Sequence, residues 1–416
     1  MNTSTISREA SVRGRALSPA EAAARPWQVV IVGGGPAAAA CGLAAAAGGL
    51  RVLLVERSRM PRAKLCGCCL SPRGQAELAK MGLRLSGASA GVPLKQLRLV
   101  TPSGQARIPF TGPQALSRDR LDSSLLGLAV DRGCHLLPET VVQSVAYHAG
   151  EARLTCRTGP DATDHDSLLE PCQPPAATSI ELTAECVVLA TGLPDSVRLR
   201  SPQPGNGDAA VAAPSGRIGL GATLPPHTAP LPPGELIMAV ESFGYCGVVL
   251  LEDGRVDIAA AVDTSAVSQA SPTDLLQTLL AKTGLGPLPL HTVRVRGTPP
   301  LTHRRRLTQG RVFRVGDAAC YVEPFTGEGI GWALTSGRLA GEALAVSAIG
   351  ERLDHVAAAR LYERQSASEL AGSFRRCGLI AKAVRSPRLM RAAVGGLRLA
   401  PWAGGPLVRL ATGCRR

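Results

Sequence analysis

The stretch 28–57, QVVIVGGGPAAAACGLAAAAGGLRVLLVER, leaves this chain few folds to choose from. Val29, Val30, Ile31 and Val32 form a short β-branched run, the pattern of a strand buried on both faces. Gly33-Gly34-Gly35-Pro36-Ala37-Ala38 then fits G-x-G-x-x-G/A. Gly33 permits a tight turn, Gly35 lets the backbone approach a pyrophosphate, and Ala38 lets helix and strand pack closely. The Ala-rich segment that follows is a strong helix former and stops at Gly48-Gly49. Residues 51–55 read as a second buried strand, with Glu56 and Arg57 at its end, where an acid accepts hydrogen bonds from a ribose. Strand, turn, helix, strand and acid at this spacing predict an α/β chain with a Rossmann-like dinucleotide-binding domain. Residues 26–50 carry no charge, but three glycines and a proline at the centre, with Ala as the bulk, argue against a membrane span.

A chain of 416 residues, 45% apolar, is long enough for two globular domains. Its net charge of +14 invites a nucleic-acid reading, yet aromatics are only 3% and no basic run is interleaved with them. No nucleic-acid partner is expected. Twelve cysteines scattered without a secretory signal point to reduced thiols and a cytoplasmic protein. Cys66, Cys68 and Cys69 cluster, but no second Cys/His pair stands at zinc-like spacing, so no metal site is expected.

Residues 1–25, Ser/Ala/Arg-rich, read as a mobile tail. Ser71 and Pro72 predict a helix start, running to about Met81. Residues 94–100 and 106–110 read as strands around a Thr-Pro-Ser-Gly turn, and Ser117 as the cap of a helix through Asp131. Residues 136–145, 152–156 and 180–190 are strands, residues 157–179 a surface loop, and 201–216 a linker. Four further strands (218–224, 236–240, 247–251, 256–262) form an antiparallel block with Asp253-Gly254 as a hairpin turn, followed by a helix at 272–283. Such a block, inserted into a parallel-sheet domain, has the look of a substrate domain. Residues 311–315 make another strand, leading into Gly316-Asp317. From 329 to 347 a helix shows one small apolar face (Ile330, Ala333, Leu334, Gly337, Gly341, Leu344) suited to close packing on the sheet. Its glycine-flanked N-terminus is a second phosphate-friendly place.

The glycine turn, Ser117-Arg118-Asp119-Arg120-Leu121-Asp122, Ala190-Thr191-Gly192 and Gly316-Asp317-Ala318, in this order, resemble FAD-dependent oxidoreductases of the p-hydroxybenzoate hydroxylase fold. Lys64-Leu65-Cys66-Gly67, Leu70-Ser71-Pro72 and Glu323-Pro324-Phe325-Thr326-Gly327-Glu328-Gly329 are most similar to the geranylgeranyl reductase family. The resemblance covers about residues 29–346 and is more specific for FAD than for substrate. It implies that Gly33, Gly35 and Ala38, with Pro36 and Ala37 between, lie against the FAD pyrophosphate, and that Glu56, beside Arg57, holds the adenosine ribose. It places Arg118 near the ribityl and phosphate region, Val142 beside adenine, and Gly316 with Asp317 at the ribityl chain. The backbone of Gly327, Gly329 and Ile330 would face the flavin ring, stabilising its anionic reduced form. Cys66 matches the cysteine which that family places near the ring. The family's aromatic Y-x-W-x-F-P strand is replaced here by Gly244-Tyr245-Cys246-Gly247-Val248-Val249, and the Asp-Gly motif of aromatic hydroxylases by Thr191-Gly192. With only Trp27, Trp332 and Trp402 present, the W-x-W-x-I-P stretch of tryptophan-type flavin halogenases is missing.

The expected organisation is a discontinuous FAD-binding domain (26–85, 117–216, 297–350), an inserted antiparallel-sheet substrate domain (86–116, 217–296) and a basic helical segment (351–416). Candidate catalytic residues are Cys66, Tyr245 and Glu328. Each has a plainer reading: a small buried thiol, a packed ring, a helix cap. Lys64 is either a partner for reduced flavin or a solvated lysine, and Glu323 a second possible proton relay. His303 with Arg304, Arg305 and Arg306 reads as a charge run, either a solvated face or an anion contact. Residues 374–416 carry ten Lys/Arg and no acid, interleaved with leucines. They read either as a helix pair on an anionic membrane surface or as helices packed on the FAD domain. The leading functional expectation is a C=C reductase acting on an apolar isoprenoid or polyketide-type substrate, with NADPH or NADH as electron donor. The alternatives are a flavin monooxygenase and a non-catalytic flavin-binding protein.

Overall fold

The structure is a computed structural model that describes residues 16–85, 90–148, 150–159, 178–194, 196–200, 212–323, 325–400, 402 and 404–405. Trp27–Val32 is buried at every position because its two faces meet two cores. Val29 and Ile31 pack against helices, while Val30 and Val32 face Val145 and Leu154 on the far side. This strand pairs in parallel with Val52–Val55 and with Ser179–Leu189. Beyond these lie His135–Leu137 and Val312–Arg314, also parallel. Thr140–Tyr147 and Ala152–Thr158 form an antiparallel extension against Ser179–Leu189, and the short strands Arg198–Arg200, beside Thr140–Tyr147, and Thr308–Gln309, beside Val312–Arg314, complete a nine-stranded sheet.

Among the described residues the helices, apart from a single turn at Thr264–Val267, are α1 (Pro19–Ala23), α2 (Pro36–Ala47), α3 (Pro72–Lys80) and α4 (Arg118–Asp131), followed by α5 (Pro272–Leu280), α6 (Gly329–Val346), α7 (His355–Val384) and α8 (Pro387–Leu399). The small face of α6 packs on α2 rather than directly on the sheet. A β-carbon on Gly337 would stand 2.1 Å from the Ala37 carbonyl oxygen, and one on Gly341 2.4 Å from that of Cys41. A β-carbon on Gly48 would meet Ala345 at 2.3 Å, so the two helices run parallel, backbone against backbone.

A second, eight-stranded sheet runs in the order Cys320–Tyr321, Arg296–Arg304, Ala212–Leu224, Val256–Val262, Gly244–Leu250, Glu235–Glu241, Gln96–Thr101, Gly104–Pro109. It is antiparallel except between Glu235–Glu241 and Gln96–Thr101. It therefore reaches past residue 296 and takes in Arg296–Arg304, which pairs with Ala212–Leu224. Helix α5 covers one of its faces with Leu275, Leu276, Leu279 and Leu280. On the other face lie the end of α7 and the whole of α8, with Val384, Met390, Val394 and Leu397 against Leu99, Ile108 and Met238.

Several local expectations change. Residues 136–145 are two strands, broken at Pro138-Glu139, where Glu139 has φ 48°. The 201–216 linker ends early, since Ala212–Leu224 is a single strand; residues 201–211 lie outside the described part, as do 160–177 of the expected loop. Of the expected tail, residues 1–15 lie outside, but α1 is anchored by a Ser18/Glu21 capping box, with Ala22 buried. Ser117 stands at the head of α4 without capping it, because its side chain and its N–H (3.0 Å) both donate to Glu252. The last helix packs on the second sheet, not on the first domain.

Gly337→Ala tests the α2–α6 contact. Helix propensity favours Ala by about 1 kcal/mol, but the added methyl has only backbone to push against, and overpacking costs about 1–3 kcal/mol. A lowered midpoint in thermal or urea unfolding is expected; an unchanged or raised one would show that the helices have room to separate.

Candidate functional site

Between the two sheets lies a cavity of about 490 Å³. Its polar end is built on the end of Trp27–Val32. Gly33 has φ 122°, and a β-carbon there would strike the Ala190 carbonyl oxygen at 2.5 Å, so this turn takes only glycine. Gly35 caps α2 and opens onto two guanidiniums: a β-carbon there would lie 3.7 Å from Arg62 and 3.9 Å from Arg118. Arg118 is held in a two-pronged grip by Asp122, both bonds 2.9 Å. Arg62, 6% exposed, has Asp122 at 3.4 Å and Glu56 at 3.7 Å, yet its Nε makes no hydrogen bond. A buried and a part-buried cation facing the N–H groups of a helix N-terminus, the buried one with a donor still unpaired, fit a pyrophosphate.

Glu56 accepts the Ser58 N–H at 2.9 Å and lines the cavity with Arg57, Thr140 and Val142. On the other flank are Asp317 and the start of α6, where Gly327, Gly329 and Ile330 line the wall. Burial pushes the Asp317 carboxyl up to about 6, while Arg118 and Lys64 pull it back. Lys64 lines the cavity and is half-buried. The His303 ring is buried too, not solvated, and its Nε2 sits 2.7 Å from the Asp317 carbonyl oxygen.

The other end is apolar. Leu97, Leu236, Met238 and Leu301 from the second sheet, Phe325, and Ile380 from α7 surround it. Tyr245 lines this chamber with its ring edge-on to Phe325 at 5.0 Å and the Arg217 guanidinium 5.6 Å above it. Its hydroxyl is buried without a hydrogen-bond partner, and burial, then Glu323, push its pKa well above the usual phenol range. Cys66 also lines the cavity. The Cys68 thiol bonded to it, and then the charge of Arg118, draw its pKa below the ordinary thiol range against the effect of burial. Behind them, burial holds Asp257 well above the carboxylate range.

Three expected site residues stand elsewhere. Ala38 is wholly buried in the helix–sheet core and off the cavity wall. Gly316 also lies off the wall, its N–H donating to Ser336 at 2.8 Å, while its neighbour Asp317 does line it. Glu328 is sealed beneath α6 with Arg73 at 3.4 Å, and burial raises its pKa to about 6. Glu323 likewise does not face the cavity: it joins buried Arg217, at 3.2 Å, to Arg385. Arg62, Arg217 and Asp257 are the residues that sequence reasoning missed. None belongs to a local pattern, because each meets its partners only through the fold.

No protein-family pattern matches the chain. A menaquinone reductase of Mycolicibacterium smegmatis is 29% identical over 125 residues, which is 29% of this chain and 30% of that protein. The match thus spans under a third of the curated relative's length. Among solved structures, a geranylgeranyl bacteriochlorophyll reductase-like protein from Thermoplasma acidophilum superposes with a TM-score of 0.69 at 17% identity, over 89% of this chain and 91% of the other. A halogenase solved in complex with FAD superposes with a TM-score of 0.65 at 15% identity, over 92% and 82%. The architecture is that of FAD-dependent, p-hydroxybenzoate hydroxylase-like flavoproteins with a helical C-terminal segment added.

The Cys66–Cys68–Arg118 contact has a direct chemical signature. In flavin-free protein, Cys66 is expected to react with iodoacetamide at a pH below the ordinary thiol pKa of about 8.5, and Arg118→Ala should move the midpoint upward. Mass spectrometry of the alkylated peptide across pH reads this. An ordinary midpoint in the parent protein would remove the thiolate from the site.

Proposed function

We propose that this chain is an FAD-dependent reductase that saturates a carbon–carbon double bond of an apolar, isoprenoid-bearing substrate, with NADPH or NADH as electron donor. The observation that carries the proposal is the continuity of one cavity from a dinucleotide-type cradle into an apolar chamber, with a thiol and a phenol in its lining. The resemblance to a menaquinone reductase supports a lipid-soluble quinone as the substrate class.

Gly35, Arg62 and Arg118 would hold the pyrophosphate, Glu56 the adenosine ribose, and Asp317 the ribityl hydroxyls. Bound there and reduced, FAD would supply the hydride for one carbon of the double bond. The chain must supply a proton to the other carbon, and its two candidate donors differ in charge. The Cys68 thiol and the charge of Arg118 draw the Cys66 pKa down against burial, so its sulfur favours the thiolate side and is the poorer place to keep a proton. Tyr245, with its pKa pushed up by burial, keeps its proton and has no competing acceptor on its hydroxyl. Tyr245 is therefore assigned as the acid. Cys66 and Arg118 set the field beside the ring site. The apolar wall of Leu97, Leu236, Met238 and Phe325 excludes water and orients the hydrocarbon.

Two measurements test this. Arg62→Ala should weaken FAD binding about 10- to 100-fold, the worth of one charge-assisted hydrogen bond of roughly 1.5–3 kcal/mol, read by flavin fluorescence titration; undiminished affinity would misplace the pyrophosphate. Tyr245→Phe should retain FAD but lower the rate at which an isoprenoid quinone reoxidises pre-reduced, oxygen-free enzyme, by about 10²-fold or more. If no such lipid reoxidises the parent protein, and substrate instead stimulates oxygen uptake, the monooxygenase reading takes its place.

A further inference from the structure

The end of α7 closes one side of the chamber through Ile380, and α8 packs beside it on the second sheet. Their inner faces are committed: Ile380 lines the cavity, and Val384, Met390, Val394 and Leu397 pack in one cluster with Met238 and Tyr245. The outer side of the same hairpin is unusual. Among the described residues, seven large hydrophobic side chains are exposed, and four of them fall here: Leu379 at 67%, Leu389 at 55%, Leu399 at 89% and Trp402 at 79%. On α8 the buried Met390, Val394 and Leu397 point to the sheet, so Leu399, Ala392 and Leu389 lie on the outward arc. The exposed Arg388 stands among them, and the exposed Arg391 and Arg398 flank the arc, Arg398 reaching toward the Gly104 turn.

Charge decides what this face suits. From Phe374 to the end of the chain there are ten Lys/Arg residues and no Asp or Glu. Leucines and a tryptophan set among arginines are costly in water and poor ligands for a phosphodiester backbone, which rewards cations alone. Both classes gain at an anionic bilayer, where the apolar groups enter the headgroup boundary and each cation nearby contributes about 1 kcal/mol.

We infer that the outer face of the α7–α8 hairpin docks on an anionic lipid bilayer, and that an apolar substrate reaches the chamber from that bilayer past the end of α7. The docking is independent of the reductase reading; only the route of entry rests on it. It concerns a surface contact: among the described residues, no helix is long and apolar enough to cross a membrane.

Tryptophan emission provides the test, because Trp27 and Trp332 are 3% and 4% exposed while Trp402, just past the end of α8, is 79% exposed. Flavin-loaded protein is mixed with vesicles of phosphatidylcholine alone or of phosphatidylcholine with an equal share of phosphatidylglycerol. Binding is read by co-sedimentation and by the blue shift of Trp402. The mixed vesicles should bind the protein and shift the emission, and pure phosphatidylcholine should bind at least about tenfold less. Replacing Arg388, Arg391 and Arg398 by Gln should weaken binding about a hundredfold, from three charges near the surface. Leu389→Glu with Leu399→Glu should abolish it while leaving flavin content and thermal midpoint unchanged, since both side chains are exposed. Failure of the parent protein to bind mixed vesicles overturns the inference. So does equal binding by the glutamate variant, which would reduce the face to a charge patch. A protein that docks but reduces no quinone would lose the reductase reading alone.

Discussion

The parallel contact of α2 and α6 is the constraint on which the site depends. Parallel neighbouring helices bring like dipole ends together, each worth about half an elementary charge, an unfavourable arrangement unless packing offsets it. Here Gly337 and Gly341 let α6 approach until backbone meets backbone at Ala37 and Cys41. The register then carries both N-termini, at Pro36 and Gly329, to the same cavity. Two positive helix ends with Arg62 and Arg118 above them make a floor that suits two anionic parts of one ligand, a pyrophosphate and a reduced ring. The electrostatics of the site is thus set in part by small residues that do not themselves line it.

A second constraint joins the parts of the chain that enclose the chamber. Glu323 lies between Arg217, on a strand of the second sheet, and Arg385, at the end of α7. Arg217 also pairs with Asp263 at 2.9 Å. Taking these charges out of water costs several kcal/mol per ion, so the network is poor as a source of stability and strong as a selector of one arrangement. Loss of one partner would leave a buried charge unpaired. The network keeps the segment before α6, the second sheet and the end of α7 in fixed relation, which is why Tyr245 finds Arg217 above its ring and Phe325 at its edge.

What could be read from the amino-acid sequence follows the range of the interactions involved. The first strand, the Gly33 turn and α2 are specified by neighbours a few residues apart, and the strand and helix appear within a residue or two of where periodicity puts them. Ser117 looked like a cap because capping is a local habit, but Glu252, 135 residues away, takes its hydroxyl. The capping box at Ser18 was legible in principle and was hidden only by the polar composition around it. The small face of α6 was visible as a pattern, though the pattern has no way to say whether a sheet or another helix lies opposite. Arg62 and Asp257 carried no signal, since an isolated charged residue acquires meaning only when the fold removes its water.

The same removal of water separates the two protic groups that line the cavity. Burial alone raises both a thiol and a phenol, so by itself it would leave Cys66 and Tyr245 equally neutral. The difference is made by neighbours. Cys66 has a hydrogen-bond donor in Cys68 and a cation in Arg118, and these outweigh burial. Tyr245 has Arg217 over its face, but burial and the nearby carboxylate of Glu323 prevail. The lining therefore presents a negative charge next to the cradle and a neutral proton donor deeper in the apolar end. Under the proposed reduction, a hydrocarbon bound between them would meet charge toward the cradle and a proton donor toward the apolar end. An apolar chamber lined by uncharged groups alone would have no such polarity, and a substrate bound in it would have no preferred direction for the addition.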